Sequence, residues 1–255
     1  MDPSEYDNIA RLEARHWWYR GMAAISLNFL QRTFVSDNGA KRATAREGEL
    51  RLLDAGCGPG GMLTRLSALG RPFGIDLHPL ALAHASGKAP LARAAVEHLP
   101  FAEDSFDLVT SFDVLYHLTV GDDEAALREF ARVLRKPASG KPGGILLIRL
   151  PAWEALRGAH DVAVHTRHRY TALELRAKLR AAGFRIKRLT YANTLLFLPI
   201  LLRRILQPDS QADSDVELPS PALNRFLEFL LQLEKNWLTY FNLPFGVSLF
   251  ALAQT

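Results

Sequence analysis

The residue types best suited to bind a ligand lie in a glycine-rich segment, residues 54–61, which reads Asp-Ala-Gly-Cys-Gly-Pro-Gly-Gly. Glycine lets the backbone turn tightly and approach a ligand where a side chain would collide with it. Asp76 ends the next apolar run along the chain. A carboxylate at that position can accept hydrogen bonds from both hydroxyls of a ribose. Together these features predict a nucleoside-binding site.

The spacing of the glycines leaves the identity of the ligand open. Gly56, Gly58 and Gly61 match the G-x-G-x-x-G pattern of dinucleotide-binding sites, and a single match of that kind is weak evidence. A nicotinamide cofactor, another adenosine-containing cofactor and a tight turn without any ligand are all compatible with these three residues.

Alternating strands and helices are predicted to position the glycine segment. Residues 50–55 form a short apolar strand, and a helix is predicted from about Gly60 to Leu69 with Pro59 near its first turn. Further strands are predicted at residues 72–76, 106–112, 145–148, 184–190 and 245–253. Such alternation is typical of a mostly parallel sheet covered by helices on both faces. In that arrangement Asp76 and the glycine segment lie at the same edge of the sheet.

Capping residues mark the helices outside this core. Asp122 and Asp123 precede an amphipathic helix, and Thr171 begins a capping box that is followed by Gly183 at the helix end. Ser220 and Pro221 open another helix. The N-terminal region, residues 6–34, is predicted to be helical, and the polar residues 36–49 connect it to the first strand.

The composition is that of a globular chain. The 255 residues include 48% hydrophobic and 23% charged residues, and the formal net charge is +4. Because Lys and Arg are spread along the sequence, a solvated surface is favoured over a nucleic-acid groove.

Cys57 is the single cysteine, which excludes a disulfide framework and a cysteine zinc cluster and fits a reducing compartment. The acidic start resembles no signal peptide, and the apolar run at 194–202 is too short to span a membrane, so we expect a cytoplasmic protein.

Four segments, in the same order and spacing, resemble the motifs of class I methyltransferases. Residues 54–60 resemble motif I, in which an acid stands two places before the first glycine. Residues 97–109 resemble the stretch between the third and fourth strands, and residues 111–118 resemble the segment after the fourth. Residues 130–137, resuming at Gly143, resemble the helix and strand that follow. The resemblance is closest to the type 11 group, which includes quinone-biosynthesis enzymes.

The resemblance implies an α/β fold: a Rossmann-like, doubly wound, mostly parallel seven-stranded sheet with N-terminal helices and a helical insertion before the last strand. It implies a single methyltransferase domain over residues 1–255. Within it we predict an N-terminal helical cap (1–49), a cofactor-binding core (50–150) and an acceptor-side half (151–255) with the insertion at about 195–242.

The resemblance also implies that S-adenosylmethionine is the cofactor. The glycine loop would hold its methionine part, Asp76 the ribose, Leu77 and Val96 would border the adenine, and Phe112 would lie near the transferred methyl. Residues expected at the cofactor are Asp54, Gly56, Cys57, Gly58, Gly60, Asp76, Leu77, Val96, Glu97 and Phe112. Ala95 departs from the family, since many relatives carry an acid there that accepts the adenine amino group. Backbone groups of Val96 can serve instead, at a cost of about 1 kcal/mol in selectivity.

Two further residues in an aromatic N-terminal segment, residues 16–21, are candidates for the cofactor carboxylate. Tyr19 or Arg20 can reach it if the segment covers the cofactor. The alternative is that Trp17 and Trp18 simply dock the N-terminal helix on the sheet, and the sequence slightly favours that interpretation.

Methyl transfer from a sulfonium neutralises charge, so much of the catalysis can come from positioning the acceptor. His117 follows the fourth strand, and an unperturbed pKa near 6.5 suits a general base; a histidine that only packs is an equally good interpretation. Tyr116 stands where some relatives have a metal-binding glutamate, and we predict no metal. His165 and Tyr170 belong to the polar segment 160–170, which is either a lid over the acceptor or an exposed loop.

The insertion at 195–242 is unusually apolar and carries Arg203 and Arg204. It is compatible with a tunnel for a lipophilic acceptor, a peripheral membrane contact, a homodimer face or ordinary core. We therefore predict methyl transfer to a small lipophilic acceptor, with O-, C- or N-methylation left open. The alternatives are a nicotinamide-dependent oxidoreductase and a non-catalytic nucleoside-binding protein. Nucleic acid is not an expected partner, because the chain has no Asn-Pro-Pro-Tyr type motif and no basic arm.

Overall fold

A computed structural model describes residues 2–34, 49–138, 142–206 and 217–255. Within these ranges one mixed sheet is surrounded by helices. Its strands are β1 (Leu50–Ala55), β2 (Gly70–Asp76), β3 (Leu91–Arg93), β4 (Leu108–Phe112), β5 (Ile145–Pro151), β6 (Arg185–Ala192) and β7 (Ser248–Gln254). The helices are α1 (Pro3–Leu12), α2 (Trp17–Phe34), α3 (Gly61–Leu66), α4 (Pro79–Ala85), α5 (Asp123–Val133), α6 (Ala159–Ala163), α7 (Ala172–Ala181), α8 (Phe197–Leu206) and α9 (Pro221–Leu238). A short 3₁₀ helix covers Glu154–Leu156.

The seven described strands have the order β3-β2-β1-β4-β5-β7-β6. All neighbours are parallel except β7, which runs antiparallel to both β5 and β6. This confirms the doubly wound, mostly parallel fold that the sequence predicts. The strand order reverses between β1 and β4, and ligands of such sheets bind outside the carboxyl ends of the strands at this switch point.

The sheet is buried on both faces, as its continuous apolar runs require. Leu52, Leu53, Leu146 and Leu147 have no exposed surface. One face packs against α5 and α7, and Phe130 of α5 is fully buried there. The other packs against α2 and α9, and the predicted N-terminal helices therefore cover the sheet directly.

The helix caps follow the sequence signals. The Asp122 side chain accepts a hydrogen bond from the Ala125 N–H, and the Thr171 hydroxyl accepts one from Glu174 N–H. Ser220 caps α9 in the same way. Gly183 closes α7 with φ +87°, a left-handed conformation that favours glycine.

Several predicted boundaries differ from the observed ones, including the last two strands, which lie at Arg185–Ala192 and Ser248–Gln254. The helix after the glycine loop ends at Leu66 rather than Leu69. The fourth strand begins at Leu108, because Phe106 forms only an isolated bridge with Leu134. The predicted N-terminal helical region consists of two helices, α1 and α2. The N–H of Trp17, the first residue of α2, donates to Asn224 Oδ1 of α9 and not to a carbonyl of α1. The predicted linker at 36–49 lies almost wholly outside the described residues. Among the described helices, none is long and apolar enough to cross a membrane.

Candidate active site

A cavity of about 860 Å³ lies at the carboxyl ends of β1, β2, β4 and β5, beneath α1 and the start of α2. Most of the predicted site residues line it. They are Tyr19, Asp54, Gly56, Cys57, Gly58, Asp76, Leu77, Val96, Glu97, Phe112 and His117. The cavity is therefore built by residues from distant parts of the sequence that the sheet topology brings to one edge.

The glycine loop forms the floor of the cavity. The backbone N–H groups of Gly56 and Cys57 both donate to the Ile75 carbonyl, at 2.9 and 2.8 Å, which fixes the loop to the end of β2. Gly56, Gly58 and Gly60 have φ values of +81°, +53° and +88°. Only glycine adopts this region without cost, so the sequence of the loop is dictated by its backbone. Gly60 lies outside the cavity wall, at the N-cap of α3.

A matched pair of substitutions separates the structural role of the loop from its binding role. A Cβ on Gly56 would overlap the Val114 side chain, whereas a Cβ on Gly58 would meet no atom within 4 Å and would extend into open space at the cavity wall. We expect Gly56→Ala to cost about 2–3 kcal/mol of stability and Gly58→Ala only about 1 kcal/mol. Gly58→Ala is expected to weaken S-adenosylhomocysteine binding at least about tenfold.

Urea unfolding measures the two stabilities, and isothermal titration calorimetry measures the affinity of the Gly58 variant. Unchanged affinity in Gly58→Ala would show that the ligand does not approach this part of the loop.

Asp76 connects the loop to the next strand. Its Oδ2 accepts from the Gly58 N–H and its Oδ1 from the His78 N–H, each at 2.9 Å. Burial raises the pKa of this carboxyl, and the two N–H donors oppose the rise. Each carboxylate oxygen keeps one further lone pair. The carboxylate is therefore oriented at the cavity with capacity for two more hydrogen bonds.

Asp54 lies deeper in the wall, next to Thr110. Its Oδ1 accepts from the Thr110 hydroxyl at 2.7 Å, and only 2% of the residue is exposed. Burial raises the pKa of Asp54 to about 7. A cation bound beside Asp54 would favour its ionised form.

This pKa predicts how stability depends on pH. In the unfolded chain Asp54 loses its proton near pH 4, but the folded chain holds it up to a pH of about 7. Since the folded state then binds more protons, the stability contributed by neutral Asp54 falls as pH rises through this interval. Asp54→Asn is expected to gain stability relative to the original chain, by about 4 kcal/mol, between low and neutral pH. Thermal unfolding of both chains over this range is the test, and a constant difference would contradict the raised pKa.

The N-terminus of α3 is faced by a carboxylate of the chain itself. A Cβ on Gly61 would overlap the Glu13 carboxylate, and Lys88 Nζ lies 3.4 Å from Glu13 Oε1 while donating to the Pro59 carbonyl at 2.6 Å. Glu13 thus takes the position at this helix end that is electrostatically favoured for a carboxylate.

An ion pair that sequence reasoning missed forms the next part of the wall. Arg149 Nε and Nη2 donate to Asp113 Oδ2 at 2.8 and 2.5 Å. The guanidinium lies between two rings, with its Cζ 4.8 Å from the Trp18 centroid and 5.2 Å from that of Phe112. Both partners and Trp18 line the cavity. The signal was present in the sequence, because Arg149 is the one charged residue inside an otherwise apolar strand.

His117 is in the cavity but is held as a neutral ring. Its Nδ1 lies 2.7 Å from the Val164 carbonyl oxygen, and the ring stacks on Tyr116 at 4.2 Å. Burial lowers the pKa of His117 to about 4. At neutral pH, Nδ1–H then donates to Val164, and Nε2 is left as an acceptor.

Tyr19 is brought to the cavity and packs against Trp18 with the rings edge to face at 5.1 Å. Burial, with Asp113 nearby, raises the pKa of Tyr19 well above its usual range, so the phenol stays protonated. Arg20 points away and pairs with Glu228 of α9 at 2.9 Å. A helix places consecutive residues 100° apart, which is why the two neighbours separate.

His165 and Tyr170 do not line the cavity. His165 lies 3.2 Å from Asp2 and follows α6, which ends at Ala163. Tyr170 is buried and donates to Asp123 Oδ2 at 2.5 Å, and its hydroxyl oxygen lies 3.1 Å from the Leu115 carbonyl oxygen. Asp161 pairs with Arg169, at 2.9 Å, and this pair reaches the cavity.

The cavity wall also contains an apolar part, here called the apolar end, which consists of Leu156, Val164, Ile200 and Val247. Polar residues that follow β5 in the chain, among them Asp161, Arg169 and Ser248, line the same cavity. Asn193 lies among them with 1% of its surface exposed, and its buried Oδ1 has no hydrogen-bond partner in the described part of the chain. A buried hydrogen-bond acceptor without a partner destabilises the fold, and an N–H or O–H group of a ligand would satisfy it.

Comparisons with known proteins agree with this geometry. Residues 53–148 match the methyltransferase domain family of type 11. The chain is 30% identical over 183 residues to a probable S-adenosylmethionine-dependent methyltransferase of Mycobacterium tuberculosis, covering 69% of this chain and 58% of that relative. It is 29% identical over 164 residues to a ubiquinone biosynthesis O-methyltransferase of Rhodopseudomonas palustris, covering 58% of this chain and 61% of that relative. A Haloferax volcanii methyltransferase, solved in complex with the Trm112 methyltransferase activator, shares the fold with TM-score 0.56 and 21% identity, over 98% of this chain and 97% of that one.

Proposed function

We propose that this chain, which belongs to the class I S-adenosylmethionine-dependent methyltransferases of the type 11 group, methylates a small lipophilic acceptor. S-adenosylmethionine is the cofactor. The observation that carries the proposal is one continuous cavity of about 860 Å³ that joins the glycine loop to an apolar end. Pockets of this size hold a cofactor and a small acceptor together.

The cofactor end fits a nucleoside with a cationic tail. Gly58 leaves open space where any other residue would place a Cβ, and Asp76 retains two lone pairs for ribose hydroxyls. Leu77 and Val96 supply apolar walls for the adenine, and the Asp54 carboxyl is suited to the methionine end. We propose these residues as the cofactor site, together with Gly56, Cys57, Glu97 and Phe112.

When bound, S-adenosylmethionine supplies an electrophilic methyl group on a positively charged sulfur. The chain supplies position and exclusion of water. Trp18, Tyr19 and Phe112 form an aromatic wall at the centre of the cavity, and the Arg149–Asp113 pair holds two of these rings in place. Because the Asp113 carboxylate neutralises the Arg149 guanidinium, this part of the wall has no net positive charge, which suits a cationic cofactor.

The role of His117 follows from its fixed tautomer. Nε2 can accept a hydrogen bond from an acceptor hydroxyl or amine, which orients the attacking lone pair. Because burial lowers the pKa of His117 to about 4, it is a weak base. We therefore propose His117 as a residue that positions the acceptor. His165 and Tyr170 receive no support from cavity contacts, since each is bound to another part of the chain.

The apolar end supports a lipophilic acceptor. Its walls are Leu156, Val164, Ile200 and Val247, and Asn193 offers a single buried acceptor atom for a hydroxyl or amine. The similarity to a ubiquinone biosynthesis O-methyltransferase supports a phenolic acceptor carrying an apolar chain. The division into a cap (1–49), a cofactor core (50–150) and an acceptor half (151–255) is part of this proposal.

Two measurements test the proposal. Titration calorimetry with S-adenosylhomocysteine and with NADH tests the cofactor, and we expect heat from the first ligand only. Incubation of the chain with methyl-labelled S-adenosylmethionine and a lipid extract, followed by mass spectrometry, tests transfer. Cofactor binding without any labelled product from lipid or aqueous extracts would favour a non-catalytic nucleoside-binding protein.

A further inference from the structure

The helix α9 presents apolar residues to solvent. Its outer face, defined as Leu223, Phe226, Phe229, Leu233 and Trp237, follows a helical spacing of three or four residues, and each side chain is between 45 and 56% exposed. Tyr240 and Phe241 continue this face beyond the helix end, at 74 and 58% exposed. A contiguous exposed patch of large apolar side chains marks an interaction surface.

The opposite side of α9 is attached to the protein by polar contacts as well as by leucines. Asn224 accepts from the Trp17 N–H and donates to the Arg15 carbonyl, at 2.9 and 3.0 Å. Glu228 pairs with Arg20 at 2.9 Å. Glu234 is 4% exposed and accepts from the Asn193 and Leu195 N–H groups at 2.6 and 2.7 Å. A helix that only packs on the core exposes its acidic residues and buries its large apolar residues. In α9 the arrangement is reversed, because Glu234 is buried whereas the apolar side chains of the outer face are exposed.

The inner side of α9 contacts a segment that contributes to the cavity wall. Glu234 accepts from the N–H of Leu195, just before α8, and Leu198, Leu202 and Leu206 along α8 are also more than half exposed. Ile200, on another side of α8, lines the cavity, as do Glu217 and Pro219 just before α9. The helix α9 is thus connected through its inner side, and through the residues just before it, to the proposed acceptor end.

Arginine side chains lie near both ends of α9. Arg15, Arg20 and Arg225 line a shallow recess at its start together with Glu228, which pairs with Arg20. At its other end the Arg32 guanidinium lies 5.5 Å from the Tyr240 ring, and Arg188 donates to Asn242 Oδ1 at 2.7 Å. Aromatic side chains flanked by arginines are the composition of helices that lie in a membrane interface, where anionic headgroups attract the cations.

We propose that the outer face of α9 binds the surface of an anionic lipid bilayer, with the helix parallel to the membrane plane. The lipophilic acceptor then passes from the bilayer into the cavity beside Ile200, a consequence that rests on the proposed function. A second copy of the chain is the competing occupant. The bilayer is favoured because it complements the arginines at both ends and leaves the cavity accessible to an acceptor.

Vesicle binding tests this surface with the whole chain. We expect the chain to co-sediment with vesicles of equal parts phosphatidylcholine and phosphatidylglycerol, and less with phosphatidylcholine alone. The triple variant Phe226→Gln, Phe229→Gln, Trp237→Gln is expected to partition at least about tenfold more weakly. Leu173→Gln, which removes a leucine of α7 that is 79% exposed, is the control outside this surface and is expected to bind like the original chain.

Fluorescence gives an independent measure of insertion. Brominated acyl chains are expected to quench the emission of Trp237, and this quenching is lost in Trp237→Phe, which keeps the apolar surface. The proposal is overturned if the original chain binds neither vesicle, or if the triple variant binds as well as the original. It is also overturned if sedimentation shows a dimer that the triple substitution dissociates while vesicles have no effect.

Calorimetry with S-adenosylhomocysteine keeps the two proposals distinguishable. Unchanged affinity in the triple variant shows that the fold and the cofactor site are intact. Failure of the original chain to bind S-adenosylhomocysteine would refute the proposed function and leave the vesicle result to be judged by itself.

Discussion

Replacing Asp76 with Asn is expected to weaken S-adenosylhomocysteine binding by about a hundredfold or more. The carboxylate accepts from the Gly58 and His78 N–H groups and has two lone pairs left for the ribose hydroxyls. Hydrogen bonds to a charged acceptor contribute about 1.5–3 kcal/mol each. The amide of Asn has one oxygen that accepts, but an NH₂ group replaces the second carboxylate oxygen. That NH₂ group is a donor, so it can accept neither from the backbone N–H nor from a ribose hydroxyl.

Calorimetric affinity and thermal stability should be measured on the same preparation. We expect a modest change in stability, because the Gly56 and Cys57 N–H groups still hold the loop to the Ile75 carbonyl. Asp7→Asn is the matched control, since its exposed carboxylate pairs with His84 outside the cavity. If Asp76→Asn bound as tightly as the original chain, Asp76 would not contact the ribose.

Replacing Arg149 with Met is expected to lower the free energy of unfolding by about 2–4 kcal/mol. The substitution leaves the Asp113 carboxylate without its cation in the cavity wall and removes the planar group between Trp18 and Phe112. The lower part of the range allows for the 20% exposure of the Asp113 side chain. Cofactor affinity is expected to fall as well, because the aromatic wall loses the group that separates its rings.

Urea unfolding of two further variants tests whether the loss of stability comes from the buried Arg149–Asp113 pair. The double variant Arg149→Met, Asp113→Asn is expected to recover part of the lost stability, since the unpaired charge is gone. Arg128→Met removes an exposed arginine that pairs with Asp122, and we expect a loss below about 1 kcal/mol. Equal losses for Arg149 and Arg128 would show that burial adds nothing to the Asp113 pair.

Some features of this site were determined by the sequence alone. The glycines at 56, 58 and 60, with Asp76 at the end of the next strand, are local patterns in which the residue type reports the backbone it requires. The apolar runs predicted the strands in the same way, and the capping box at Thr171 predicted the start of α7. Each of these signals depends on neighbours within a few positions, so no knowledge of distant contacts was needed.

Only the tertiary structure decided which distant residues meet. Asp113 and Arg149 become partners because β4 and β5 are adjacent and parallel, and Glu13 reaches Gly61 because α1 crosses the glycine loop. The orientation of α9 is the clearest case. Periodicity shows that the helix has an apolar face, but Asn224, Glu228 and Glu234 find their partners in α2 and near β6, and these contacts turn that face outward. These pairings of α9 link residues at least 39 positions apart, and sequence spacing carries no information about them.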